Sequence, residues 1–264
     1  MTVDSLPFPE FSLELSASGP WPQPGPGTVC RGRSMRQVAD LEPVLPSGHG
    51  LPQSLVAYRM YRGVCREGDE PLFPEGGVRY DLTVLLPRWD LPEAVKTFGH
   101  HHPVCPGAGL TYPEVYQVVA GRALFLLQSE AEVAVLSASA GEVVWVPPGF
   151  AHVTANPGPS RLVIANLVAD GFESLYSEFA EKGGAAYHLM AKAGGGDQLE
   201  AEPNSRYHRL PPLRRLSAAQ WNRHRGPREW PSARPGGRRD PCIYRAFARD
   251  PDAFRCLLDP RDGW

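Results

Sequence analysis

The chain has 264 residues, a formal net charge of -2 and a hydrophobic fraction of 42%. That is enough apolar material for one large domain with extensions, and no run reaches the roughly 18 apolar residues a membrane helix needs. The N-terminus, Met1-Thr-Val-Asp-Ser-Leu-Pro7, lacks a basic region followed by an apolar stretch, and the five scattered cysteines form no CxxC pair. The expectation is a cytoplasmic protein with reduced thiols, no secretory signal, no zinc finger and no membrane association.

In chain order, residues 1–30 carry Pro7, Pro9, Pro20, Pro22, Pro24 and Pro26 and read as an extended arm. Residues 34–41 look helical, with Ser34 as a possible N-cap. Then come short segments rich in β-branched and large apolar residues: Leu55–Arg62, Arg79–Leu86, Val115–Val119, Ala123–Gln128, Glu132–Leu136, Val143–Val146 and Arg161–Ala169. Turn residues separate them, among them Gly76-Gly77, Gly121, Gly141, Pro147-Pro148-Gly149 and Pro157-Gly158-Pro159. Short strands at this spacing predict an all-β sandwich or barrel. Neither GxGxxG nor a Walker loop is present, so a nucleotide-binding fold has no support. Residues 191–196 read as a loop or boundary, Ala218–Asn222 as a helix and Ile243–Ala248 as a compact segment. The expected division is an arm over 1–30, a β domain over 31–192 and an Arg/Pro-rich extension with short helices over 193–264.

The last seventy residues hold fourteen Arg, no Lys and nine Asp or Glu. Acids, prolines and glycines interrupt the arginines, and no nucleic-acid motif accompanies them. A solvated surface is expected there, with no nucleic-acid partner.

Four of the eight histidines lie between His100 and His152. In an extended stretch, His100 and His102 point to one face of a sheet and His101 to the other. Glu114 follows twelve residues after His102, and His152 comes after four further predicted strands. A rolled barrel can bring a later strand beside an earlier one, so these four side chains can converge. Three imidazoles and a carboxylate suit a divalent transition metal and leave positions open for substrate oxygens. Each residue taken alone has an ordinary structural explanation; the ordered set points to a metal site. His49, His188, His208 and His224 have no such company.

These residues also carry a resemblance. Thr97-Phe-Gly99-His100-His101-His102, followed after eleven residues by Glu114-Val-Tyr116, is similar to the first motif of the cupin-type glucose-6-phosphate isomerases of archaea and some bacteria. Pro147-Pro148-Gly-Phe-Ala-His152-Val-Thr-Ala-Asn156 is similar to their second. Pro87, Glu93, Leu124–Gln128 and Glu181-Lys182-Gly183 fit as well. The resemblance covers roughly residues 30–190 and is weaker at Pro251–Pro260. It implies a cupin double-stranded β-helix, or jelly-roll barrel. It implies His100, His102, Glu114 and His152 as ligands of a divalent metal (Fe, Mn, Ni or Zn), and Thr97, Gly99 and Tyr116 as substrate-binding residues. It implies Glu114 as the catalytic proton carrier between C1 and C2, a metal-assisted hydride shift being the competing route. The reaction implied is the interconversion of glucose 6-phosphate and fructose 6-phosphate, in a homodimer.

The chain departs from the family at four places. Leu91 stands for a Gly, Gly149 for an aromatic after Pro-Pro, and Phe172 and Ser174 for a His and a Tyr that help bind the sugar phosphate. His101, Lys96 or an arginine of the tail are the basic residues available to compensate. The departures keep open a sugar-phosphate-binding cupin without turnover, and the His and Glu ligand set, common on iron in cupin dioxygenases, leaves a dioxygenase as a further reading.

Overall fold

Apolar segments punctuated by Gly and Pro fold into strands too short to bury their surface alone, and two sheets close over one another. The computed structural model describes residues 13–15, 21–87, 89, 91–191, 199–227 and 242–264. The N-terminal part contains β1 (Leu13–Leu15), β2 (Pro22–Pro24), β3 (Thr28–Gln37), α1 (Val38–Leu41), β4 (Val56–Arg66) and α2 (Leu72–Glu75). The central strands are β5 (Val78–Leu85), β6 (Val95–Lys96), β7 (Glu114–Ala120), β8 (Arg122–Gln128), β9 (Val133–Ser139), β10 (Val143–Val146), β11 (Ala151–Asn156) and β12 (Leu162–Ala169). After them come α3 (Ser177–Lys182), β13 (Tyr187–Ala191), β14 (Leu199–Pro203), β15 (Leu213–Ser217), α4 (Ala218–Arg225) and α5 (Ile243–Arg249).

The six-stranded sheet has the order β10-β7-β12-β5-β4-β3 and the five-stranded sheet β15-β9-β8-β11-β6. Strands β5 to β12 pair from the outside inwards: β5 with β12, β6 with β11, β7 with β10 and β8 with β9. This nested antiparallel pairing is the jelly-roll barrel of the cupins. Strands β3 and β4 widen one sheet. Strand β15 joins β9 in parallel on the other, Leu213 facing Val133.

Two cores result. One fills the space between the sheets and includes Leu85, Phe98, Phe125, Leu127, Val146 and Trp221. The other covers the outer face of the six-stranded sheet with Phe73, Tyr244, Phe247, Phe254 and Leu257. Covered on both faces, β12 is buried at every position and reads as a continuous apolar run instead of an alternating one. The Trp221 indole donates to the Trp145 carbonyl at 2.8 Å, which ties α4 to β10. Ser217 and Gln220 form a reciprocal capping box at the start of α4.

Residues 34–37 are strand, not helix, which corrects the expectation of a helix from Ser34. Ser34 faces Met60 and Arg36 faces Tyr58 across the β3–β4 ladder, and the helix begins after Gln37, whose backbone N–H donates to Asp40 at 2.8 Å. The ladder hydrogen bonds outweigh the local helical preference of a short segment. Trp21 lies under the Arg59 guanidinium, 5.0 Å from ring centroid to Cζ, and the Tyr61 hydroxyl donates to the Pro22 carbonyl. Residues 192–196 of the expected loop lie outside the described residues. No disulfide joins any of the five cysteines. Among the described residues no helix is long and apolar enough to cross a membrane.

Candidate metal centre and substrate cavity

The segment after β6 continues alongside β11. Thr97 N–H donates to the Thr154 carbonyl at 2.8 Å, and the Thr154 N–H donates to Thr97 Oγ1 at 3.0 Å. His100 and His152 then exchange both backbone hydrogen bonds, at 3.2 and 3.1 Å, and such pairs place their side chains side by side. Two residues on, His102 returns to the same face. Glu114 opens β7 between Val146 of β10 and Val168 of β12, which aims its carboxylate at the three imidazoles.

One ligand atom from each of His100, His102, Glu114 and His152 lies within 4.8 Å of every other. The Nε2 atoms of His100 and His102 are 3.2 Å apart. Glu114 Oε2 is 3.3 Å from His102 Nε2 and 3.1 Å from His152 Nε2. His102 Nδ1 is 2.8 Å from the Tyr112 carbonyl, which only accepts, so Nδ1 carries the proton and Nε2 presents a lone pair to the centre. His101 points the other way and lies 3.0 Å from Glu178 of α3.

Burial drives the His100 imidazole well below its ordinary pKa, with His152 and His102 adding to the effect. Burial lowers His152 too, against the pull of Glu114. For Glu114 burial acts upward, but contact with His102 and His152 outweighs it and holds the carboxyl far below the usual range. Tyr116 is raised well above the phenol value by burial and by Glu114. The Glu114 carboxylate and the imidazole nitrogens face one another across 3.1–3.3 Å, and among the described residues the buried Glu114 Oε2 has no hydrogen-bond donor. Such an arrangement is repulsive without a cation between the donors. Ligands at metal-bond length around one ion stand about 3.0–3.4 Å apart, which matches the separations seen. The donor set fits a divalent transition metal.

The cluster forms one wall of a cavity of about 430 Å³. Thr97, Gly99 and Tyr116 line it, and so do Phe172 and Ser174. The Tyr116 hydroxyl lies 3.1 Å from His152 Nε2. Gly99 has φ +84, and a Cβ there would come within 2.5 Å of Val153 and 2.6 Å of Phe179; no other residue fits without displacing them. Gly149 does not line the cavity. It sits in the β10–β11 turn at φ +82, its N–H donating to Thr111 Oγ1 at 2.7 Å.

None of the basic residues singled out from sequence lines the cavity. Lys96 is buried against Glu93, and among the described residues no tail arginine reaches the lining. The cavity instead receives Arg62 and Arg79, together with Tyr58, Thr83 and Asn166. Sequence reading passed over these five. For four of them the signal is the period-two spacing Tyr58-x-Met60-x-Arg62 and Arg79-x-Asp81-x-Thr83 on one face of β4 and β5; Asn166 lies on the fully buried β12.

Comparison with known proteins agrees with the motifs. The model of the family described as glucose-6-phosphate isomerase (GPI) matches residues 35–206. A glucose-6-phosphate isomerase of Pyrococcus furiosus is 34% identical over 157 residues, covering 57% of this chain and 77% of that protein. One of Thermococcus litoralis is 34% identical over 161 residues with the same coverage. A putative glucose-6-phosphate isomerase 1 of Rhizobium meliloti is 31% identical over 132 residues, covering 50% of this chain and 59% of that one. Among solved structures, a Bacillus subtilis oxalate decarboxylase overlaps with a TM-score of 0.34 at 18% identity, over 45% of this chain and 28% of that one. That overlap is partial, and the assignment rests on sequence and on the strand pairing above. The chain belongs to the glucose-6-phosphate isomerase family.

Proposed function

We propose that the protein interconverts glucose 6-phosphate and fructose 6-phosphate at the His100–His102–Glu114–His152 centre, with a divalent transition metal (Fe, Mn, Ni or Zn) held by those four side chains. The observation that carries this reading is the convergence of the four donors on one wall of the cavity, in a chain of the isomerase family.

When bound, the cation supplies Lewis acidity to the carbonyl and hydroxyl oxygens of the substrate's first two carbons. Glu114 is ionised and faces the cavity. Its carboxylate takes the proton from one of these carbons and returns it to the other. Thr97 and Gly99 place a hydroxyl and a backbone amide along the same wall and hold the sugar phosphate. Tyr116 stays protonated and offers its hydroxyl beside His152.

Purified protein loaded separately with Mn, Fe, Ni and Zn tests the reading in a coupled assay of fructose 6-phosphate formation. Turnover with at least one metal is expected, and no turnover with any of them overturns it. Solvent deuterium identifies the route: label enters C1 or C2 if Glu114 carries the proton, and full exclusion of label refutes that role.

A further inference from the structure

Arg62, inside β4, lines the cavity and takes no part in the metal cluster. Tyr61 pairs with Leu82, so the next position sets Arg62 beside Asp81 of β5. Asp81 is completely buried. It accepts from Arg62 Nη1 at 2.6 Å, from the Gly63 N–H at 2.8 Å and from Arg79 Nε at 2.8 and 2.9 Å. Arg79 is committed on its far side as well, its Nη1 donating to Asp170 at 2.8 Å. Arg31 also reaches Asp170, at 3.1 Å. Three guanidiniums therefore share two carboxylates, which leaves one positive charge in the group.

Within that group Arg62 lines the cavity and turns one edge of its guanidinium toward it. Its Nη1 is bound to Asp81, while among the described residues its Nη2 meets only the Met60 thioether at 3.3 Å, and a thioether is a weak acceptor. Among the described residues no lysine lines the cavity. The lining carboxylate Glu173 is exposed at the rim, where solvent screens it.

The register sets where this charge stands relative to the metal centre. Asp81 pairs with Asn166, and Asn166 with Tyr116, whose hydroxyl touches His152. Arg62, Asp81, Asn166 and Tyr116 thus form one polar row across four strands. Its ends are about 14 Å apart at the backbone, three strand spacings, and the long Arg62 side chain covers part of that span inside the cavity.

We infer that Arg62 is a substrate-binding residue that receives the anionic end of the substrate on its Nη2 edge and so sets the preference for phosphorylated over neutral sugars. This rests on the reading of the cavity as a sugar-phosphate site. A planar guanidinium already fixed by a buried carboxylate loses little freedom on meeting a phosphate oxygen.

Equilibrium binding of glucose 6-phosphate, inorganic phosphate and unphosphorylated glucose to metal-loaded protein, by calorimetry, tests the inference apart from turnover. Arg62→Ala should weaken glucose 6-phosphate and phosphate by about 10- to 100-fold, the range of one charge-assisted hydrogen bond, and leave glucose unchanged. Arg62→Lys should fall between, keeping charge without the fork. Arg62→Gln, which still donates to Asp81, serves if the alanine variant does not fold and should show the same selective loss. Glucose 6-phosphate bound as tightly by the variants as by the parent overturns the inference, as does equal loss of glucose, or a parent protein that binds neither phosphate probe. Selective loss in a protein that turns nothing over supports Arg62 and refutes the isomerase reading, so the two failures are distinguishable.

Discussion

The ring of Phe172 lies flat on that of Tyr112, centroids 4.7 Å apart and planes 11° from parallel. Phe172 also packs 4.8 Å from the His102 ring, and the Tyr112 carbonyl receives the His102 Nδ1 proton. Phe172 thus supports the His102 ring directly and through Tyr112. Phe172→Ala should release the Tyr112 segment and weaken metal affinity by about 10–100-fold, the usual cost of losing support behind a ligand. Competition with a chelator of known affinity measures this, and an unchanged metal dissociation constant would contradict the buttressing role.

His100→Ala and His152→Ala each remove one imidazole from a small donor set and should lower metal content sharply in elemental analysis. His101→Ala should keep the metal, since that ring faces Glu178 at 3.0 Å and not the centre. Full metal retention by both ligand variants would refute the site; a large loss at His101 would mean the alternation assigns the wrong face.

The grouping of His100 with His102 and the separation of His101 were legible because period-two geometry sets them apart without knowledge of the fold. The strands bounded by Gly and Pro were legible for the same local reason. Strand β11 was not: it is buried throughout, so the segment carrying His152 shows no alternation to read. The β3 edge was misread because its pairing with β4 is non-local. Arg62 and Arg79 lay in a visible alternation, but alternation alone does not say which face lines a cavity. The role of the C-terminal segment depends on an apolar outer sheet face that no local pattern announces.

That outer face makes a stability prediction. Phe247 is fully buried and stacks on Phe73 with centroids 5.1 Å apart. Phe247→Ala should destabilise the fold by about 3–5 kcal/mol, measured by denaturant unfolding. A change within experimental error would mean that α5 does not hold the sheet.

Gly99→Ala forces a side chain onto φ +84 and into contact with Val153 and Phe179. Strain and overpacking together should cost about 2–4 kcal/mol, read by denaturant unfolding of metal-free protein, with a drop in kcat/KM of the loaded form. Wild-type stability would show that the backbone there tolerates a Cβ.

Glu93 is buried, its Oε1 3.0 Å from His188 Nδ1 and in contact with Lys96. Burial acts to raise its carboxyl, but Lys96 and His188 outweigh it and bring the folded pKa below 4.5. The folded state thus binds the proton less readily than the unfolded chain. The contribution is complete above pH 4.5 and is lost as pH falls through the lower folded value. Glu93→Gln should cost about 3–5 kcal/mol at pH 7 and remove part of the acid-side slope of unfolding free energy. An unchanged slope would contradict this assignment.

The most direct test of a metal-dependent isomerase centre is fructose 6-phosphate formation followed through chelation and metal return, with metal content measured in the same samples. Activity should vanish with the metal, return in proportion to metal bound by the parent protein, and fail to return in His152→Ala. Activity that persists in metal-free protein, or that survives in a His152→Ala variant holding no metal, would contradict the account.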